Sequence, residues 1–177
     1  MDAVKETTMN SGTAQEVTVY TVGHGDHTTA AFLLLLQQHE IALVVDVRSQ
    51  PYSQWVPQFN RENLARDLQA AGIRYVFLGD SLGGRPKDRK LYDPGQEYPN
   101  YERLASSPGY LAGIEQLLQL AATARAAILC SEGDYHHCHR GKLITPTLLA
   151  RGAHVLHIAP DGALVDAQAE PKQLTLF

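Results

Sequence analysis

Ala126-Ala127-Ile128-Leu129-Cys130-Ser131-Glu132-Gly133-Asp134-Tyr135-His136-His137-Cys138-His139-Arg140 is the stretch on which the fold turns. Its first four residues form a short apolar run, the pattern of a strand covered on both faces, and a helical pattern begins near Gly141. Between the two lie both cysteines of the chain, three of its eight histidines, a glutamate and an arginine. A buried strand that hands over to a helix through such a set of reactive side chains predicts an α/β sheet with an enzyme site at the strand end.

The rest of the chain repeats that alternation. Val17 to Val22 mixes β-branched and aromatic residues and stops at Gly23-His24-Gly25, as a strand would. Thr28 predicts the N-cap of a helix to about His39. Leu43 to Val47 is a Val-rich second strand ending in Asp46-Val47-Arg48. Asn60 predicts a helix to Ala71, stopped by Gly72, and Ile73 to Leu78 a third strand. Ser107 before Pro108 marks another helix start, with Leu111, Ile114, Leu117, Leu118 and Ala121 on one face. After the fourth strand, Ala126 to Cys130, a helix from about Arg140 to Arg151 ends at Gly152, and Ala153 to Ile158 is the fifth. The pattern predicts a single three-layer α/β domain over 17–158, with a mainly parallel, Rossmann-like sheet of about five strands. A disordered leader at 1–16 and a flexible tail at 159–177 flank it. From Gly79 to Ser107 the periodicity fails, which predicts a long functional loop or lid.

Composition narrows the function classes. The 177 residues are 44% hydrophobic, enough for one sizeable core. A net charge of −4 gives no whole-protein attraction to nucleic acid or to an anionic membrane, so phosphate binding would need a local patch. The longest apolar run, Ala30 to Leu36, is too short for a bilayer, and Met1 opens no signal-peptide pattern. A cytoplasmic protein with reduced thiols and no membrane partner is expected.

In a parallel sheet the strand-to-helix loops emerge at the carboxyl edge, where open α/β sheets bind ligands. Gly23-His24-Gly25, Asp46-Val47-Arg48, the Gly79 to Gly84 segment and Cys130-Ser131-Glu132 are therefore expected to meet at one cleft. Arg48 and Arg140 can each present a planar fork of donors to an anion, helped by the helix start near Arg140. Gly83, Gly84, Arg85, Lys87, Arg89 and Lys90 extend this expected substrate-binding set. Glu132 is the candidate acid/base, with His24 or His139 as partner and Asp46 completing the site. Asp46, Arg48, Glu132 and Arg140 would equally suit a structural ion-pair network. Cys130, near a helix N-terminus and two arginines, is a candidate nucleophile or else a buried structural thiol. Cys130, His136, His137, Cys138 and His139 offer zinc ligands, but their spacing matches no paired-cysteine pattern, and no cofactor is expected.

Taken together, Thr21-Val22-Gly23-His24, Asp46-Val47-Arg48 with Pro51, Leu82-Gly83-Gly84, Cys130-Ser131-Glu132 and Cys138-His139-Arg140 resemble the hallmark pattern of the domain of unknown function 488 family, over about 17–158. The resemblance implies a small bacterial or archaeal cytosolic α/β protein and brings no settled reaction. The Asp-Val-Arg strand end and the later strand-end cysteine also look like rhodanese, a sulfur-transfer fold, although Arg140 lies ten residues after Cys130 instead of closing a compact loop. Gln173-Leu174-Thr175-Leu176-Phe177 resembles the bacterial sliding-clamp-binding peptide. In that mode Leu176 and Phe177 fill an apolar pocket, Leu174 lies between, and Gln173 fixes the register.

Such a tail implies the DNA sliding clamp as partner and DNA or a nucleotide as ligand. Arg85, Lys87, Arg89 and Lys90 would then contact phosphates, and Tyr92, Tyr98 and Tyr101 would either stack on bases or form the loop's own small core. The expected function is an enzyme of DNA repair or processing that hydrolyses an N-glycosidic or phosphoester bond. The alternatives are a thiol-dependent or sulfur-transfer enzyme using Cys130, and a non-catalytic clamp-bound adaptor.

Overall fold

Strand Ala126–Cys130 forms as read, and all five of its residues are buried. Its alternate side chains serve two separate cores: Ala126 and Ile128 join one apolar cluster, Ala127 and Leu129 the other. A run with no polar face is what this position requires, since both faces of the sheet are covered. The computed structural model describes residues 16–168. The leader, apart from Glu16, and tail residues Gln173, Leu174, Leu176 and Phe177 lie outside them.

The strands are β1 (Thr18–Gly23), β2 (Leu43–Asp46), β3 (Arg74–Phe77), β4 (Ala126–Cys130), β5 (His154–Ile158) and β6 (Leu164–Asp166). They make one sheet in the order β3-β2-β4-β1-β5-β6. The first five run parallel, and β6 is antiparallel to β5. Helices α1 (Thr29–Gln38) and α2 (Arg61–Ala70) contribute Phe32, Leu36, Leu64 and Leu68 to the cluster on one face. On the other face α3 (Gly79–Leu82), α4 (Tyr101–Ser106), α5 (Pro108–Thr123) and α6 (Thr145–Ala150) supply Leu82, Leu104, Ile114, Leu117 and Leu148. This is the expected three-layer arrangement. Each fully buried leucine contributes about 2 kcal/mol relative to exposure.

Local chemistry sets the boundaries. Thr28 accepts the Ala31 N–H at 3.1 Å and so caps α1. After α2 and α6 the chain turns through Gly72 (φ 76°) and Gly152 (φ 78°). In both, the next residue closes back onto the last helical turn: Ile73 N–H to Leu68 O at 2.9 Å, Ala153 N–H to Leu148 O at 3.0 Å. Asn60 precedes α2, yet its side chain does not cap it; Oδ1 accepts the Ser53 N–H at 2.6 Å and closes the preceding loop instead.

Three expectations are corrected. The stretch from Gly79 to Ser107 is not structureless: it contains α3, a 3₁₀ turn at Arg89–Leu91, and α4, whose N-cap Asn100 accepts from Glu102 and Arg103 N–H. The single helix expected after Cys138 is a π-helical segment, Arg140–Ile144, followed by the shorter α6. The domain also runs past Ile158. Pro160-Asp161-Gly162 is a hairpin turn, closed by Ala159 N–H to Ala163 O at 2.8 Å, and it delivers β6 to the sheet edge. Among the described residues no helix is long and apolar enough to cross a membrane.

Candidate active site

The loops at the carboxyl edge continue the sheet's hydrogen bonding beyond the strands. His24 N–H donates to Cys130 O at 3.1 Å, Gly25 N–H to Ser131 O at 2.9 Å, and Val47 N–H to Leu129 O at 3.1 Å. Glycines permit this convergence. A side chain at Gly23 would strike Glu132 O at 1.7 Å, and one at Gly84 would meet the His139 ring at 2.7 Å. One at Gly83 would meet Ser49 Oγ at 2.2 Å, and that hydroxyl accepts the Arg85 N–H at 2.8 Å. Gly83 and Gly84, read as ligand contacts, are thus points of close approach between loops.

Asp46 is fully buried and fixed on every side. It accepts Arg48 Nε at 2.9 Å, Arg48 Nη2 at 2.7 Å, Arg48 N–H at 3.1 Å and the Tyr75 hydroxyl at 2.7 Å. Burial, then the Asp46 carboxylate, pushes the Tyr75 phenol up, so it remains a donor. Arg48 is itself buried and spends its fork on Asp46, which realises half of the structural network anticipated in the sequence. His24 stacks on Phe59 with ring centroids 4.4 Å apart. Burial lowers its pKa to about 4, so the ring is neutral at pH 7. Nδ1 lies 2.8 Å from Gly25 O; with the proton there, Nε2 is an acceptor.

Arg140 is fully buried. Its Nη1 donates to Thr21 Oγ1 at 2.8 Å, and Nη2 to Glu132 O at 2.9 Å and Gly133 O at 2.8 Å. Thr21 Oγ1 in turn lies 2.7 Å from His157 Nδ1. The anion-binding role expected of Arg140 is therefore corrected: its two terminal nitrogens tie the 132–133 loop to β1. Its Nε is the one buried side-chain nitrogen or oxygen without a partner among the described residues. The Glu132 side chain is exposed, and its backbone carbonyl is what Arg140 holds.

Cys130 and His139 come together at the centre. Cys130 Sγ lies 3.7 Å from His139 Nδ1, and His139 Nε2 lies 3.0 Å from Val47 O. Burial lowers the His139 pKa, leaving a neutral ring. With Nε2–H donating to Val47, Nδ1 directs a lone pair at the sulfur. The Cys138 thiol hydrogen-bonds Cys130 and, with the N–H groups of Glu132 and Ser131 and the Arg140 charge, outweighs burial to lower the Cys130 pKa to about 7. Cys138 moves the opposite way: its interaction with Cys130, then burial, raises its pKa, and its thiol donates to the Tyr135 carbonyl at 3.8 Å. The half-buried Tyr101 phenol is raised by burial and then by charge at Cys138 and Cys130.

The remaining candidates lie at the rim. Arg85 pairs with Glu97 at 3.1 Å and stacks over Tyr98 at 4.7 Å. Arg89 stacks over Tyr92 at 4.3 Å, and Lys87 and Lys90 are exposed. His136 and His137 clasp Asp134 at 2.8 and 3.0 Å. Among the described residues no three His, Cys, Asp or Glu side chains are grouped to hold a metal ion. Sequence reasoning gave Thr21, Tyr75 and His157 no part in the site. The strand register could have supplied two of them, since Thr21 and His157 are direct partners on neighbouring strands.

No curated protein and no solved structure matches the chain. The family model described as "Domain of unknown function DUF488" matches residues 28–145, about two thirds of the chain. The Asp46 to Arg48, Leu82 to Gly84, Cys130 to Glu132 and Cys138 to Arg140 segments fall inside that span, and the thiol, its histidine and the buried arginine thus sit in the part by which the chain belongs to the DUF488 family.

Proposed function

We propose that the chain is a thiol-dependent enzyme in which Cys130 is the attacking group and His139 receives its proton. The observation that carries this reading is the Cys130–His139 contact, with the far side of the imidazole held by the Val47 carbonyl. A nucleophile, a base within reach and a third group that orients the base are the parts such catalysis needs. The thiolate is held by the Ser131 and Glu132 N–H groups and the Cys138 thiol. It bonds to an electrophilic atom of the substrate, and the leaving group takes the proton from His139. Glu132 suits the acid/base role of the hydrolytic reading less well, because its carboxylate stands in solvent.

The test is the rate at which iodoacetamide alkylates Cys130 across pH, followed by peptide mass. The rate should reach half its plateau near pH 7. Cys138→Ala, which removes the strongest cause of the lowered pKa, should move that midpoint upward. A wild-type midpoint in the ordinary thiol range, about pH 8.5, would sink the reading.

The nucleic-acid reading keeps one specific support. Exposed aromatic side chains stand in loops of the carboxyl edge, Trp55 at 84% and Tyr98 at 57% exposure; Arg85 stacks over Tyr98, and Lys87, Arg89 and Lys90 are exposed on the same segment. Aromatic faces beside cationic side chains suit single-stranded nucleic acid. Replacing the four basic residues with alanine should weaken binding of a short single-stranded DNA about tenfold or more at low salt; equal binding by both proteins would remove this reading.

A further inference from the structure

We propose that His24 and Arg48 form a second ligand site, on the opposite face of the sheet from Cys130, and that it takes a hydrogen-phosphate group bound as the monoanion. The site does not depend on the thiol reading.

Strand alternation separates the two places. Along β4, Ala126 and Ile128 face one core and Ala127 and Leu129 the other, so Cys130 continues the first face. His24 belongs to the second, where its ring stacks on Phe59. Arg48 does too: the Asp46 carboxylate that it holds also takes the hydroxyl of Tyr75, which packs on that same core. The two residues follow the ends of β1 and β2, the strands on either side of β4. Val22 and Asp46 both pair with Leu129, so His24 and Arg48, each two residues further on, stand level with one another. One strand lies between them, which sets their backbones roughly 10 Å apart.

Each side chain keeps one polar atom uncommitted. Arg48 gives Nε and Nη2 to Asp46, while Nη1 has no hydrogen-bond partner among the described residues. His24 gives Nδ1 to the Gly25 carbonyl at 2.8 Å, and Nε2 has no partner there either. Neither atom is sealed in the interior, because Arg140 Nε is the one buried side-chain nitrogen or oxygen left unpartnered among the described residues. Both side chains are nevertheless held firmly, at only 3% and 6% exposure.

The two atoms differ in kind. Arg48 Nη1 is a charged donor. A carbonyl can only accept, so His24 carries its proton on Nδ1 and presents a lone pair at Nε2. Burial opposes a second proton, and the Arg48 charge adds to that. A ligand that meets both atoms must offer a negatively charged oxygen and, on the same group, a hydroxyl. A phosphate that holds one proton has both, whereas a sulfate ester or a phosphodiester has no such hydroxyl. The Asp46–Arg48 pair carries no net charge, so a monoanion is desolvated here at less cost than a dianion.

The test is calorimetric titration of the reduced full-length protein with phenyl phosphate and with phenyl sulfate at about pH 6, where a phosphate ester still holds its second proton in part. Phenyl phosphate should bind about tenfold or more tightly than phenyl sulfate. Inorganic phosphate, titrated in the same way, separates the two sources of the group: the tighter binder of the two phosphates names the ligand as ester or free ion. Arg48→Ala would strand Asp46, so the variant is His24→Phe, which keeps a ring on Phe59 and removes the acceptor. It should bring phenyl phosphate down to the affinity of the sulfate. Failure of the wild type to bind either phosphate, or equal affinity for phenyl phosphate and phenyl sulfate, would overturn the inference without recourse to a variant. So would an unchanged phosphate preference in His24→Phe with a native circular dichroism spectrum. The Cys130 alkylation midpoint is read separately, so this site and the thiol reading can fail one without the other.

Discussion

Arg140→Ala should destabilise the protein by about 4–5 kcal/mol, the range of the most damaging single substitutions. The residue is among the largest fully buried side chains, and its guanidinium satisfies the Thr21 hydroxyl and the carbonyls of Glu132 and Gly133. Hydrogen bonds from a charged donor each contribute about 1.5–3 kcal/mol, and truncation leaves the Glu132 and Gly133 carbonyls without this donor beside a cavity. Urea unfolding followed by circular dichroism measures the loss; a change under about 1 kcal/mol would show that the network is not structural. Arg140→Lys should recover only part, because one ammonium cannot span acceptors on β1 and on the 132–133 loop. The same substitutions should raise the Cys130 alkylation midpoint above pH 7, because they release the loop whose N–H groups face the sulfur.

Asp46→Ala should cost about 3–5 kcal/mol by the same measurement, because it strands the buried Arg48 guanidinium without a counter-charge. It also removes the acceptor of the Tyr75 hydroxyl. Removing both charges is the informative control. Asp46→Leu combined with Arg48→Met should be less destabilised than Asp46→Ala alone, since no uncompensated ion remains. If the double variant were the worse of the two, the ion pair would be contributing stability in its own right.

The legible parts of the fold were those written locally. The even burial of β4, the Thr28 cap and the Gly72 and Gly152 stops are signalled within a few residues of where they act. Strand β6 was missed because it is only three residues long and half exposed. Its Asp161-Gly162 turn looks the same whether it ends a domain or reverses a hairpin. In α4 the Asn100 cap was present in the sequence, but surrounding prolines and glycines outweighed it. For the site, the sequence showed which residue types gather at the carboxyl edge but not how they pair. Spacing cannot reveal that Arg140 turns inward to a hydroxyl and two carbonyls, or that the Glu132 carboxylate stands outside while its backbone does the work. Cys130 and His139 lie nine residues apart in sequence, and only the π-helical segment and the close approach of Gly84 show that the imidazole is pressed toward the sulfur.

The order of strands has a consequence for how the protein comes into being. Among the described residues β1 pairs only with β4 and β5, with Val19 opposite Ala126 and Thr18 opposite His154. During synthesis the first strand therefore waits, without a hydrogen-bonded neighbour, until the last third of the chain has emerged. β2 and β3 can meet earlier, yet a two-stranded parallel pair has little independent stability. Contacts this distant in sequence close slowly. The strand that ends in Cys130 is the wedge between the early pair and β1, and inserting it joins the two halves of the sheet. On the proposed thiol reading, a nascent or partly unfolded chain would carry an ordinary, weakly nucleophilic thiol, and alkylation of Cys130 near pH 7 would report the assembly of β4 and the segment that carries His139.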